Sequence, residues 1–452
     1  MVRQSPSRRT VLQAAGVFLA AGTVPNLARG ADTGDGADLE KLAEDAAIWG
    51  LPLVQTGRYI KLAHANGIKW NQFYLNQTLA TPSLKVPGPN IDTIYGFAWL
   101  DLAPGPLVLD VPDTADRYYS IQLMDAYENS FAYVGRRETG TKAGSYVIAG
   151  PDWNGRLPEG AKRINSPTSV VFALTRTLVR GEGDLSTAQA IQLSYTLAPL
   201  THYPAGKVAG IVKTDALNVV PKPDLSGTGA EYFGELSELV RRYPPRGQEV
   251  AAFRRFGALG LGTSFTTSPP LSDELLQTAF ENALHRVRSA NISDDNNGWK
   301  VNYRIRKFIA DPLVRASVDQ LGPGAHIPEE ALYFATSKDS QGVSLNGTHR
   351  YTITFPKGQL PPTKAFWSLI LYDADFFLAE NPINRYSIND RTDGLAYGAD
   401  GSLQILIQHD APADKANWLP APTGHFQLIL RAYQPDEVVL SQQYRVPKVV
   451  KV

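Results

Sequence analysis

Nine residues occur twice in this chain in recognisably the same pattern. Tyr118-Tyr119-Ser120-Ile121-Gln122-Leu123-Met124-Asp125-Ala126 and Phe366-Trp367-Ser368-Leu369-Ile370-Leu371-Tyr372-Asp373-Ala374 each give an aromatic pair, a serine, an apolar run and then Asp-Ala. Two further matches keep the same order, Gly144-Ser145 with Gly401-Ser402 and Leu157-Pro158 with Leu419-Pro420. Strands that end in Asp-containing turns can look alike by chance, but a preserved order of three favours an internal duplication. The fold must then build one β unit twice. In the first copy the wholly apolar set Tyr119, Ile121 and Leu123 is expected to face the core, with Tyr118, Gln122 and Met124 on the other side.

The pattern between and around the copies fits this plan. Short β-type runs at Leu107–Val111, Tyr118–Met124, Ser145–Ala149 and Ser169–Val179 are separated by Pro-Asp, Thr-Gly and Gly-Pro turns, a β-sandwich pattern. Strands return at Tyr351–Phe355, Phe366–Tyr372, Leu403–Gln408 and Phe426–Tyr433. Between them Leu236, Val240 and Tyr243 form one helical stripe, and Ser272 caps a helix with Leu276, Phe280, Ala283, Leu284 and Val287 on one face. Near the start, Leu39, Leu42, Ala46 and Trp49 recur at helical spacing, and Gly50 and Pro52 are expected to divide that helix from a second one running to about Ala65. The expected fold is mainly β with a helical region, an α+β multi-domain chain. Its parts are an N-terminal helical segment (31–80), a β-sandwich (81–183), a helical middle domain (184–325) and a C-terminal jelly-roll-like β-sandwich (326–452).

Residues 1–30 read as a twin-arginine signal peptide. Arg8-Arg9 precedes an uncharged run from Val11 to Thr23, and Ala28-Arg29-Gly30 suits cleavage before Ala31. The run is shorter than the roughly 20 apolar residues of a membrane-spanning helix, so no stable membrane span is expected. The expected location is periplasmic or secreted, with the twin-arginine export machinery as a partner. The whole chain carries 44 basic and 44 acidic residues. Removing Arg3, Arg8, Arg9 and Arg29, with no acid in that segment, leaves 40 against 44, a net charge of −4 that argues against nucleic acid. With no cysteine, disulfides, thiolate nucleophiles and zinc–thiolate sites are excluded.

The densest polar cluster is Pro89-Asn90-Ile91-Asp92-Thr93-Ile94-Tyr95, followed by Trp99-Leu100-Asp101-Leu102, Val111-Pro112-Asp113-Thr114 and Arg117-Tyr118-Tyr119. These stretches resemble the family called domain of unknown function 1254. Phe355-Pro356-Lys357-Gly358, Phe366-Trp367-Ser368, Tyr372-Asp373-Ala374-Asp375, Asn381-Pro382-Ile383-Asn384-Arg385-Tyr386 and Asn417-Trp418-Leu419-Pro420-Ala421-Pro422 are similar to domain of unknown function 1214. The resemblance spans nearly the whole chain after residue 30. It implies a β-sandwich, a helical region and a jelly-roll-like domain, and no activity.

The residues themselves suggest where chemistry would lie. Asp92, Asp101 and Asp125 sit at strand ends, where a pair of carboxylates can act as general acid and base; as strand-end groups they can equally cap backbone amides in Asx turns. Asp125 and Asp373 occupy equivalent places in the two copies. Asn90, Tyr95, Tyr119, Tyr127 and Trp418 offer amide, phenol and indole groups to a small-molecule or glycan ligand, Trp418 being placed in a Pro-rich loop. Asn384 and Arg385 offer a fork for a carboxylate or phosphate, or a brace for their own loop. The histidines show no metal-ligand spacing, no metal site is expected, and no motif names a cofactor. Two functions follow: a periplasmic enzyme using carboxylate chemistry on a carbohydrate-like or other polar small molecule, or a non-catalytic ligand-binding or envelope-interaction protein, either as a homo-oligomer or alone.

Changing Arg8 and Arg9 together to lysine should hold the protein in the cytoplasm. Fractionation that still finds the double variant in the periplasm would refute export by this route.

Overall fold

The computed structural model describes residues 34–181, 183–203, 211–214, 222–262 and 271–452. The export segment lies outside the described residues. Two β-sandwiches make up most of the rest. The first contains β1 (Phe73–Asn76), β2 (Thr93–Asp101), β3 (Leu107–Val111), β4 (Tyr119–Met124), β5 (Ala132–Gly135), β6 (Gly144–Ala149), β7 (Lys162–Asn165), β8 (Val170–Leu178), β9 (Thr196–Pro199) and β10 (Ile211–Thr214). Its sheets run β10-β1-β2-β8-β4-β5 and β7-β6-β3-β9. The second contains β11 (Asp294–Asn296), β12 (Trp299–Val301), β13 (Ala331–Thr336), β14 (Tyr351–Phe355), β15 (Thr363–Asp373), β16 (Ser387–Asn389), β17 (Leu403–Gln408), β18 (Trp418–Pro420), β19 (Phe426–Pro435) and β20 (Val450–Lys451). Its sheets run β11-β12-β13-β19-β15-β16 and β18-β17-β14-β20.

Adding eleven to each label of β1 to β9 reproduces the second strand order, so that β1 becomes β12 and β8 becomes β19. The directions agree as well, since β6–β7 and β17–β18 are the parallel pairs within otherwise antiparallel partners. The duplication is therefore topological. Only the outermost strands depart from it: β10 joins β1 in parallel from later in the chain, whereas β11 joins β12 as an antiparallel hairpin. Of the three sequence matches, Tyr118–Ala126 falls on equivalent strands, while Gly144-Ser145 opens β6 and Gly401-Ser402 lies just before β17. The third does not fall on equivalent strands, because Leu157-Pro158 precedes β7 while Leu419-Pro420 lies inside β18. The sandwiches also draw strands from stretches read as helical, β9 and β10 into the first and β11 and β12 into the second.

Helices pack beside the first sandwich: α1 (Gly34–Ala65), α2 (Leu185–Gln192), α3 (Gly229–Arg242), α4 (Glu249–Arg254), α5 (Asp273–Ser289) and α6 (Pro312–Leu321). The expected break at Gly50 and Pro52 does not occur, and α1 passes through both. A proline inside a helix removes one backbone hydrogen bond, and here burial holds the helix together: Trp49, Leu51, Leu53 and Val54 are all buried in one core with Leu236 and Leu239 of α3. Ser272 caps α5 as expected, accepting from Leu275 N at 3.1 Å. At Gly229, the first residue of α3, an added Cβ would lie 2.3 Å from the Leu276 carbonyl oxygen of α5, so the two helices meet backbone to backbone.

Tyr119, Ile121 and Leu123 fill the first sandwich core with Leu107, Leu109, Tyr146 and Ile148, as expected. The opposite face of the same strand is buried too, and all six residues of β4 are inaccessible. That second face of the six-stranded sheet is divided between two partners. Phe97, Trp99, Met124 and Leu174 pack on the helices, while Tyr118 and Leu178 pack on Ala331, Phe366 and Tyr433 of the second sandwich. The two sandwiches thus meet through the second faces of their larger sheets.

Gly229→Ala should push α3 away from α5 and lower stability by about 1–3 kcal/mol, the usual cost of overpacking. An unchanged melting temperature would contradict this close approach.

Candidate functional site

The Pro89–Asp92 stretch enters between the sandwiches ahead of β2. The Pro89 carbonyl accepts from the Tyr372 hydroxyl at 2.7 Å, and Asn90 Nδ2 donates to the Tyr433 oxygen at 2.6 Å. Asp92 is buried; its carboxylate accepts from the Ser368 hydroxyl at 2.5 Å and from Arg391 Nη2 at 2.6 Å. Asn90 Oδ1 also accepts from Asp92 N at 2.6 Å, the Asx geometry of a turn. This polar cluster latches the first sandwich onto the second.

The three candidate carboxylates do not converge. Asp92 directly precedes β2 and Asp101 is the last of its nine residues, so roughly 30 Å of strand separates them. Asp101 Oδ1 accepts from Ala103 N at 3.0 Å, and its own amide donates to Asn71 Oδ1 at 2.8 Å. Asp125 ends β4 and accepts from Tyr127 N and Asn129 N, both at 2.9 Å. Asp373 does the same in the second copy, with Asp375 N at 3.0 Å and Phe377 N at 2.9 Å. In both loops the third residue on is left-handed, Glu128 at φ 62° and Phe376 at φ 66°. The equivalence of Asp125 and Asp373 is therefore that of a duplicated turn.

Other singled-out groups have structural partners. Tyr119 lies in the sandwich core with its hydroxyl on the Gly140 carbonyl at 3.3 Å. Tyr127 is buried against Trp49 and donates to the Tyr243 carbonyl at 2.7 Å. Trp418 is not in a loop but in β18, fully buried, and donates to the Gln408 carbonyl at 2.9 Å; its strand pairs in parallel with β17. Arg385 Nη1 donates to the carbonyls of Lys415, Ala416 and Trp418, and so braces that strand. Asn384 is left-handed at φ 49° and accepts from the Tyr386 hydroxyl at 3.0 Å. Tyr95 differs from these. It is half-buried beside the Arg176 guanidinium, 5.1 Å from its ring.

Acid–base chemistry is better placed where the β4–β5 loop meets the helices. Asp125, Glu128, Glu249 and Asp319 gather there against two cations, Arg315 and Lys222. Glu249 forms a buried ion pair with Arg315 and accepts from Trp49 Nε1 at 2.7 Å, while Asn129 Nδ2 links it at 3.1 Å to the Asp125 turn. Asp319 sits one turn beyond Arg315 on α6 and is almost wholly buried. Its Oδ2 accepts from Gln320 Nε2 at 2.6 Å, while Oδ1 has no N–H or hydroxyl donor. Glu128 lies against Asp319, carboxyl beside carboxyl, and ionisation of one makes ionisation of the other harder. Burial first, and then the Asp319 charge, push Glu128 well above the usual carboxylate range. Burial also raises Asp319 to about 6, against the pull of Lys222. Glu128 holds the proton in this pair. Glu128 and Tyr59 are half-buried, so solvent reaches the pair, and Gln55, one helical turn before Tyr59, is fully buried with neither amide atom partnered. Among the described residues, no group of three or more histidine, aspartate or glutamate side chains is arranged to hold a metal ion, and no helix is long and apolar enough to cross a membrane.

The sequence pattern did not single out Glu128 or Asp319. Glu128 follows the flagged Tyr127 in an unremarkable turn, and Asp319 lies on a helix whose stripe is apolar. The missed signal for Arg176 and Arg431 was stronger, since each places the one charge in a strand that otherwise has none.

Two family profiles match the chain: "Protein of unknown function (DUF1254)" over residues 70–199, and "Protein of unknown function (DUF1214)" over 330–437. The chain belongs to these two families. The DUF1254 span runs from just before β1 to the end of β9, and the DUF1214 span covers β13 to β19. Among solved structures, the VPA0106 protein from Vibrio parahaemolyticus is similar in fold, with a TM-score of 0.71, 24% identity and coverage of 91% of this chain and 99% of that one. An uncharacterised Burkholderia cenocepacia protein aligns at a TM-score of 0.44 with 10% identity, covering 92% and 95% of the two chains. No curated protein matches the sequence.

In this DUF1254–DUF1214 protein, Asp92→Ala would leave Arg391 without its buried acceptor. Removing one partner of a buried pair costs about 3 kcal/mol or more, whereas Asp101→Ala loses only a local turn bond worth about 1 kcal/mol. Equal urea midpoints for the two variants would refute the latch.

Proposed function

We propose that this DUF1254–DUF1214 protein is exported by the twin-arginine route and works in the periplasm as an acid–base enzyme on a polar small molecule. The Glu128–Asp319 carboxyl pair carries the chemistry. One observation supports this above the others: the Glu128 and Asp319 carboxyls lie together at the helix junction, Glu128 half-buried and Asp319 buried behind it beside the unpartnered amide of Gln55. Such a pair can hold a water molecule, with the ionised Asp319 removing its proton while Glu128 donates to the oxygen on which charge develops. Carboxyls that lie against each other are closer than the about 5 Å or more that glycoside cleavage uses. The preferred reaction is therefore hydrolysis at a carbonyl centre. Gln55 and Tyr59 would orient the substrate, and Lys222, which donates to the Gln320 carbonyl at 2.6 Å, would border the site.

Activity should rise with pH as Asp319 ionises near about 6 and fall again at higher pH once Glu128 loses its proton, a bell belonging to the pair as a unit. Glu128→Gln and Asp319→Asn should each lower turnover at least about 100-fold without changing the melting temperature appreciably. A panel of periplasmic esters, amides and glycosides provides the assay. Turnover that survives in both variants removes the pair from the mechanism. A second reading, ligand binding without catalysis, is favoured by Arg176 and Arg431, two buried arginines on the facing sheets whose hydrogen-bond acceptors are all neutral.

A further inference from the structure

The second faces of the two large sheets carry one row of side chains in duplicate. In the first sandwich Tyr95 of β2 stands opposite Arg176 of β8, which stands opposite Ser120 of β4. In the second, Tyr333 of β13 stands opposite Arg431 of β19, which stands opposite Ser368 of β15. The strands correspond one to one in the duplicated topology, so each residue has its counterpart. The local geometry corresponds too: each guanidinium lies over the tyrosine of its own row, Arg176 at 5.1 Å from the Tyr95 ring centre and Arg431 at 6.0 Å from that of Tyr333.

Both guanidiniums are buried, 5% and 4% exposed, and every acceptor they have is neutral. Arg176 donates to Gln122 Oε1 at 2.9 Å and to the Gly324 carbonyl at 2.8 Å. Arg431 donates to the Tyr372 hydroxyl at 2.7 Å and to the Gly88 carbonyl at 2.9 Å. The Nε of each has no acceptor. The carboxylates near this layer are already engaged, Asp92 by Arg391 and Glu330 by Arg137 at 2.6 Å. His326, 1% exposed, has no partner at either ring nitrogen and lies 6.2 Å from the Tyr433 ring. Arginine cannot shed its proton, and buried charges are normally paired. The layer therefore holds two uncompensated positive charges and several spare N–H donors. Tyr95 and Tyr333 are half-buried, as are Ile91 and Ala335, which pack in one cluster with Tyr333, so the layer has a half-exposed edge.

We propose that the two Tyr–Arg–Ser rows form a binding site for a small planar organic carboxylate between the sandwiches. A guanidinium fork matches a carboxylate in two bonds, and the tyrosine faces accept a flat body. The site is separate from the Glu128–Asp319 pair and does not depend on its being catalytic.

Calorimetric titration of the processed, full-length protein with benzoate, acetate and inorganic phosphate tests the proposal. Benzoate should bind once per chain and more tightly than acetate or phosphate. Arg176→Lys and Arg431→Lys keep the charge but lose the fork, and each should weaken benzoate at least tenfold. Should either variant fail to fold, mass spectrometry of the small molecules released on denaturing the wild-type protein from its native host replaces it, with an organic carboxylate expected at near-equimolar amount. Binding of phosphate alone, binding of none of the three probes, binding untouched by both substitutions, or release of no carboxylate overturns the assignment.

Discussion

Antiparallel sheets commonly leave one face to water, and the two six-stranded sheets of this protein do not have that outlet. Each covers a sandwich core with one face and meets the other sandwich or the helices with the second. Most polar groups on the second face then bond within the contact, because an unsatisfied buried donor or acceptor costs about 1–3 kcal/mol. Asn90 on Tyr433, Asp92 on Ser368 and Arg391, and Arg431 on the Gly88 carbonyl are the consequence. These bonds add less by being made than they would cost by being lost. The same enclosure leaves Arg176 and Arg431 with charge and no counter-charge.

Much of the β architecture was legible because its signals are local. Strand runs such as Leu107–Val111, Tyr351–Phe355 and Leu403–Gln408 are bounded by turn residues, and the sequence places them residue for residue. The Ser272 cap and the apolar stripe of α5 were legible for the same reason. Where the sequence misled, a distant neighbour had overruled a local preference. Helix α1 survives Pro52 because α3 packs against it. Trp418 leaves its Pro-rich surroundings for a buried parallel pairing with β17 that no local pattern announces. The candidate carboxylates were chosen for their place at strand ends, which is also where a turn needs an acceptor, and Asp101, Asp125 and Asp373 serve that need. Glu128 and Asp319 meet only because residues 191 apart in the chain, by their numbers, come together at the helix junction.

Some of the stretches that carry the family resemblance form the two sides of one contact. Pro89, Asn90 and Asp92 lie on the DUF1254 side, while Ser368 and Tyr372 lie on the DUF1214 side and bond to them directly. A motif rich in amide, carboxylate and phenol groups invites a catalytic interpretation, yet such groups are also what bonds two buried sheet faces to each other. The half-buried Tyr95, at the end of the first motif, is the member that keeps an open side.

The bond from Asn90 to Tyr433 spans 343 residues and that from Arg391 to Asp92 spans 299. Closing contacts so far apart in the chain is slow, because the loop entropy is lost before the contact repays it. A nascent first sandwich has nothing to set against Tyr118 until Glu330 has left the ribosome, nothing for Asp92 until Ser368 and Arg391 have followed, and nothing for Asn90 until Tyr433 emerges. Maturation is therefore stepwise and late, with the second sandwich completing the first as it is made.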